Sequence, residues 1–353
     1  MHRRTFITTA GALAASGTTL APRSRAEAST RSTSGTPPRK VIAGTVMQDL
    51  WGKYPGLPQR LDQLAGLIDR IAEQSTRKYH RGPDIAILPE AAITGEIGQD
   101  ALAGAVPLKG PVHDVLGRKA REHRCYIVAP TFLLESDGKH CSNAAILFGR
   151  GGDVAGIYRK VHLVVSPDNE SMEGGSTPGT DVPVFDCDFG RLGIQICYDI
   201  EFDSGWNELA RKSCDVVAWP TQSPQTATPA FRAMQQGFYI ISSTWRNNAS
   251  VFEPSGRIAA QIRPPESALA YELDLSYAIL PWSGKLQNGE ALRKKFGDKA
   301  GFHYYEDEDR GIFWSNDPGM TIREMARSLG LEERHEQFAR DRQVYRKAGL
   351  REF

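Results

Sequence analysis

Between residues 40 and 273, short strand patterns and amphipathic helix patterns alternate twice in the same order. That repeat limits the fold more than any other feature of the chain. In the first half, residues 40–47 (KVIAGTVM) and 84–88 (DIAIL) are apolar runs of strand length. Between them Leu61, Leu64, Leu67, Ile68 and Ile71 recur at the three- and four-residue spacing of a helical stripe across residues 57–74. A second helix is expected over 110–123 after Pro111, then strands over 126–131, 143–148 and 153–158, with a turn at Ser136-Asp137-Gly138. The second half repeats the scheme with strands near 192–196, 214–220, 239–244, 257–262 and 268–273 and helices over 206–212 and 229–237. Two related halves of this kind pack as a layered α/β sandwich. At 353 residues and 40% apolar content, the chain has ample material for its core.

The ends read differently. Arg3-Arg4 precede a small-residue apolar run over residues 7–21, and Ala26-Glu27-Ala28 offers an A-x-A cleavage site. Residues 1–28 are therefore expected to be a twin-arginine-type signal peptide, with the mature protein periplasmic or secreted. Residues 29–38 (STRSTSGTPP) read as a disordered linker and 39–280 as the folded domain. Residues 281–353 form an extension, helical over 322–350 and expected to serve as a dimer arm; the charge run 306–310 reads as a solvated loop. A net charge of +1 gives no electrostatic case for nucleic acid, and no apolar run after residue 21 approaches the roughly 20 residues of a membrane span. None of Cys125, Cys141, Cys187, Cys197 and Cys214 forms a C-x-x-C pair, and His113, His123 and His140 lack ligand spacing, so no metal site is expected.

One stretch asks for a chemical explanation. In GRLGIQICYDIEF, Leu192, Ile194 and Ile196 alternate as in a strand, and Cys197 follows at the carboxyl end. Gly190 and Gly193 suit close backbone approaches. Two readings stand: a small buried hydrophobe, or a thiol at the sheet edge where α/β folds place their chemistry. Glu90 and Lys160 occupy similar positions, each directly after a strand, where a turn cap or a solvated lysine is the ordinary reading. Together a carboxylate, an amine and a thiol supply a base, an oxyanion partner and a nucleophile.

The segments PEAAITG, YRKVHL and GIQICYDIEF resemble, in order, the three signature segments of the carbon–nitrogen hydrolase (nitrilase) superfamily. The resemblance runs over residues 40–280. It implies a four-layer αββα sandwich with the C-terminal helical extension appended. It also implies a triad of Glu90 as base, Lys160 as oxyanion partner and Cys197 as nucleophile, with the Tyr198 backbone N–H completing the oxyanion hole. The family's second glutamate falls on Glu173, with Glu170 as the alternative; the following Pro178-Gly179 favours Glu173. Trp219 and Thr221 stand where the family contributes substrate contacts, and Asn143 reads as a turn cap. The implied reaction is hydrolysis of a small amide-type C–N bond through a thioester, without cofactor, in a homo-oligomer.

The chain departs from the family after Phe202, where Asp203-Ser204 replaces the usual Pro-Glu. Tyr198-Asp199 resembles the amidase and carbamoylase branches rather than true nitrilases. Nitrile hydrolysis, acyl transfer to an amine and an exported binding protein with an inert site remain the alternatives.

Overall fold

The computed structural model describes residues 38–96, 100–167 and 170–350. The expected signal peptide and residues 29–37 of the linker lie outside the described residues. Two sheets dominate. The first runs in the order Ala268–Asp274, Lys40–Val46, Ile85–Ile87, Tyr126–Leu134, Cys141–Phe148 and Val154–Arg159, with the short Val106–Pro107 strand beside Tyr126–Leu134. The second runs Ile258–Ile262, Ala249–Phe252, Tyr239–Ser243, Val216–Pro220, Gly190–Ile194 and Val184–Cys187. Each sheet has three parallel strands at its centre, joined by helical crossovers, and continues into two antiparallel strands. The two halves expected from the periodicity are these two sheets with one exception: Ala268–Asp274, expected with the second half, pairs antiparallel with Lys40–Val46 in the first.

The sheets pack face to face. Val41, Ala43, Ile85, Ile87, Val128 and Leu147 of the first meet Leu192, Ile194, Val216, Ala218, Ile241 and Val251 of the second in one core. Both faces of the central strands are covered, which is why those strands read as continuous apolar runs rather than as alternating ones. On the outer face of the first sheet, the helix Leu57–Tyr79 buries Leu61, Leu64, Leu67, Ile68 and Ile71, and Pro111–His123 buries Val112, Leu116 and Ala120. On the outer face of the second, Asp203–Arg211 and Ala227–Gln236 pack with Trp206, Leu209, Ala233 and Phe238. The result is the expected four-layer αββα sandwich.

The two-residue strand Val106–Pro107 escapes the periodicity, and so do two longer ones. Val184–Cys187 and Ala249–Phe252 have four residues each, too few to show a period, and their neighbours' ladders define them. The extension is helical over Ile322–Arg327 and Arg334–Lys347, as expected, but it also carries strands. Tyr277–Pro281, Arg310–Ser315 and Ala300–Tyr305 form a third, antiparallel sheet around its own core of Leu280, Leu286, Leu292, Phe313 and Met325. The charge run makes the turn of that hairpin, where Arg257 reaches back to pair with Asp307 at 2.8 Å. Among the described residues, no helix is long and apolar enough to cross a membrane.

The close approaches expected at two glycines are present. A Cβ on Gly190 would sit 2.8 Å from Leu275 and one on Gly193 would sit 2.8 Å from Leu209, both buried leucines. Gly193→Val should therefore overpack the sheet–helix contact and cost about 1–3 kcal/mol. A urea midpoint lowered with an unchanged slope is the expected result; an unchanged midpoint would show that Leu209 yields freely.

Candidate active site

Glu90, Lys160 and Cys197 each follow a strand of the central sandwich, and the packing of the two sheets brings them together. Lys160 succeeds Val154–Arg159 and is 1% exposed; Glu90 lies three residues past Ile85–Ile87 and is 3% exposed. The Lys160 ammonium donates to Glu90 Oε1 at 2.9 Å and to Glu173 Oε1 at 2.5 Å. Glu173 also accepts from the Val164 amide at 3.0 Å. Of the two candidate glutamates, then, Glu173 reaches the lysine, while Glu170 is exposed. The Trp245 indole N–H donates to the Glu90 carbonyl at 2.7 Å and fixes that turn from the second sheet.

Cys197 does not close its strand. The strand ends at Ile194, and Cys197 opens a 3₁₀ turn over Cys197–Glu201 with φ of 42°. The alternation of Leu192, Ile194 and Ile196 runs on past the last ladder bond, so a strand pattern extends further than the strand. Glu173 has φ of 41°, and Ala91, directly after Glu90, has φ of 51°. Left-handed backbone at non-glycine residues costs on the order of 1–3 kcal/mol each and persists only where the surroundings impose it.

A buried carboxylate imposes it at Cys197. Asp199 Oδ2 accepts from the Tyr158 hydroxyl at 2.7 Å and the Ile196 amide at 3.0 Å. Its Oδ1 accepts from the His162 amide at 2.9 Å and faces His162 Nδ1 at 3.0 Å. The turn bearing the thiol is thus tied to the segment bearing Lys160. Burial and then the Asp199 charge hold the Tyr158 hydroxyl well above its ordinary pKa, so it remains a donor.

Burial opposes ionisation of the thiol, and the charges around it act in both directions. Burial, and then the Glu90 carboxylate, push the Cys197 pKa up to about 12, against lowering by the Lys160 ammonium, the Thr221 hydroxyl and the Gln222 amide. Burial by itself would lower Lys160, but the carboxylates of Glu90 and Glu173 hold it well above its usual value. At neutral pH the site therefore holds a neutral thiol beside a charged lysine. Tyr198 is the second residue of the turn, where a helical N–H has no acceptor within the turn.

Both expected substrate contacts are buried. Trp219 packs against Ile200, Trp206, Phe238 and Phe252, and its indole N–H donates to the Cys197 carbonyl at 3.1 Å. It supports the Cys197 turn from behind. Thr221 is also fully buried, and its hydroxyl bonds to the Cys197 thiol. Asn143 is no turn cap: it lies inside the Cys141–Phe148 strand and its amide donates to Glu90 and Glu173 at 2.9 Å each. His162, stacked on Phe202 at 4.0 Å, and half-exposed Tyr198, edge-on to Phe202, form an aromatic rim beside Cys197. A histidine two residues after Lys160 and a phenylalanine five after Cys197 were the only signals of that rim. Asp203, in place of the family's proline, opens the helix Asp203–Arg211 and pairs with Arg232. His123 is half-buried and bonded to Asp69.

Comparison with known proteins agrees with this geometry. The sequence profile of the carbon-nitrogen hydrolase family matches residues 53–279. An omega-amidase NIT2-A of Xenopus laevis is 26% identical over 234 residues, covering 60% of this chain and 83% of its own. Among solved structures, Saccharomyces cerevisiae Nit3, of branch 10 of the nitrilase superfamily, superimposes with a TM-score of 0.58 at 20% identity, over 73% of this chain and 94% of Nit3. An amidase from Nesterenkonia sp. gives 0.55 at 19% identity, over 66% and 90%. With that profile spanning more than half its length, the chain belongs to the carbon–nitrogen hydrolase family.

Proposed function

We propose that this hydrolase cleaves the C–N bond of small carboxamides through a thioester on Cys197. The observation that carries the reading is the buried ammonium of Lys160 held between the carboxylates of Glu90 and Glu173, with Glu90 and Lys160 both acting on the Cys197 thiol. A thiol pushed up to about 12 is not a standing thiolate. Its proton leaves as the sulfur attacks, which requires a base in place. Glu90 takes that proton while Sγ bonds to the amide carbon. The oxyanion forms against the Lys160 ammonium and the Tyr198 N–H, interactions worth several kcal/mol in comparable sites. Collapse breaks the C–N bond, and Glu90 returns the proton to the departing ammonia or amine. Water, oriented by Glu173 and deprotonated by Glu90, then attacks the thioester. The acid leaves and the thiol is restored.

The omega-amidase name carried by relatives puts small amides first among candidate substrates. Two further parts of the proposal rest on less. The Arg3-Arg4 pair and the Ala26-Glu27-Ala28 site support export of the mature protein. The outer helix Arg334–Lys347, which buries none of its side chains and exposes Phe338, Val344 and Tyr345, supports assembly of copies into a homo-oligomer.

Ammonia release should be measured from short amides, N-carbamoyl amino acids and nitriles. Release is expected from amides and should be abolished by Cys197→Ala. Release from nitriles alone would reassign the branch, and product diverted to an added amine at the expense of acid would indicate acyl transfer. No release from any class, with the fold intact, would overturn the proposal. A second variant separates base from nucleophile. Because Glu90 raises the Cys197 thiol and Lys160 lowers it, Glu90→Gln should let the thiol ionise below about 12. Hydrolysis should meanwhile fall by about 10²–10⁴-fold. Ultraviolet thiolate titration against Cys197→Ala checks the first half; a titration at or above the wild-type position would contradict the assigned geometry.

A further inference from the structure

We infer that Asn143 is a positioning residue that divides the two oxygens of Glu90, engaging Oε1 and leaving Oε2 as the oxygen that receives the thiol proton. This rests on the reading of Glu90 as the base. Asn143 is 1% exposed, and its backbone is held in the strand opposite Phe132 while its carbonyl accepts from the Lys160 amide at 2.8 Å. Its side chain has two N–H hydrogens, and both are engaged: Nδ2 donates to Glu90 Oε1 and to Glu173 Oε2, each at 2.9 Å. Lys160 donates to the same Glu90 Oε1 and to the other oxygen of Glu173.

The consequence for Glu90 is asymmetric. Oε1 receives two donors, one of them charged, which makes it the weaker proton acceptor. Oε2 is buried and has no partner among the described residues. A buried, unpartnered carboxylate oxygen is costly in a folded protein, and at an active site that cost is the expected mark of an atom kept open for chemistry. The amide's own orientation is fixed by the same contacts. Turning Asn143 over would aim its carbonyl oxygen at two carboxylates, so Oδ1 faces away and is left buried without a partner. The titratable and charged groups around this amide are Glu90, Glu173 and Lys160, with Cys197 sensing Glu90 and Lys160 in turn. With two carboxylates and one ammonium the cluster has an excess negative charge, and Asn143 is the neutral donor that both carboxylates share. Without it, Lys160 alone distinguishes the two oxygens of Glu90.

Asn143→Ala and Asn143→Ser should be compared with wild type across pH, by kcat and KM on an amide that the wild type hydrolyses. The rate of Cys197 alkylation by iodoacetamide should be followed in parallel and read by peptide mapping against Cys197→Ala. For Asn143→Ala, kcat should fall about 10- to 100-fold, the size expected for a lost hydrogen bond to a charged group, with KM little changed. The acid-side limb of both profiles should move to higher pH, because a carboxylate that loses a donor binds its proton more readily. Asn143→Ser, which keeps one donor, should fall between the two. A purely structural role would lower the active fraction equally at every pH, so profiles that superimpose on wild type after scaling would overturn the inference. Loss of the fold in both variants would overturn it as well. The alkylation readout does not depend on the natural substrate: a wild type inactive on every amide, with alkylation still shifted by Asn143→Ala, would sink the proposed reaction and leave this inference standing.

Discussion

The Lys160 ammonium is nearly withdrawn from water, and the rest of the site is arranged around that fact. A buried ammonium without counter-charge costs several kcal/mol, and its pairing only partly offsets desolvation. Here Glu90 and Glu173 flank it, and Asn143 supplies the extra donor that two carboxylates around one cation require. Such a cluster adds little to stability. Its value is chemical: it presents a fixed positive charge and a proton acceptor to the same few atoms, with little reorganisation needed when an oxyanion forms.

The stability that carries this cost lies elsewhere, in the apolar face between the two sheets. Val41, Ile85, Ile87 and Val128 pack on Leu192, Ile194, Val216 and Ile241 there. The two sheets contribute different parts of the site. Glu90, Asn143 and Lys160 come from the first sheet, while Cys197 comes from the second, as do Trp219 and Trp245, which hold the Cys197 and Glu90 carbonyls. Asp199 then joins the sheets at the site itself, with Tyr158 and His162 from the first and the Cys197 turn from the second. Misplacement of one sheet against the other would separate the Cys197 thiol from Glu90 and Lys160, so packing and site geometry are coupled through that one interface. The third sheet has a core of its own but also closes on the sandwich: Ile312 joins the buried residues between the two sheets, Tyr277, Ile279 and Trp314 pack against them, and Arg257–Asp307 and Glu253–His303 pair across.

Left-handed backbone at Cys197, Glu173 and Ala91 has a common cause. Each residue lies at or beside a functional group that must turn out of a regular element toward the cluster. The surrounding hydrogen bonds hold the geometry: Asp199 at the thiol turn, the Val164 amide on the Glu173 carboxylate, and Trp245 on the Glu90 carbonyl. Strain of this sort marks positions where function overrides local preference.

By itself the sequence determined the layered architecture, because burial on both faces of a sheet writes continuous apolar runs and burial on one face of a helix writes the Leu61–Leu64–Ile68 stripe. It also pointed to Glu90, Lys160 and Cys197, because each stands in a segment that resembles one of the family's three signatures. What it did not contain is anything that depends on distance across the fold. Trp219 looked like a pocket residue because it ends a strand near Cys197, yet whether an indole at that point faces solvent or core is decided by the helices packed behind it. Asn143 looked like a turn cap because its partners lie 53 and 30 residues away, and no local pattern records bonds of that span. The choice of Glu173 over Glu170 was close in sequence and plain in space, since only one of them reaches Lys160. Local periodicity specifies which face of an element is buried, whereas the partners of a polar side chain are set by how the two sheets meet, and only the tertiary structure holds that information.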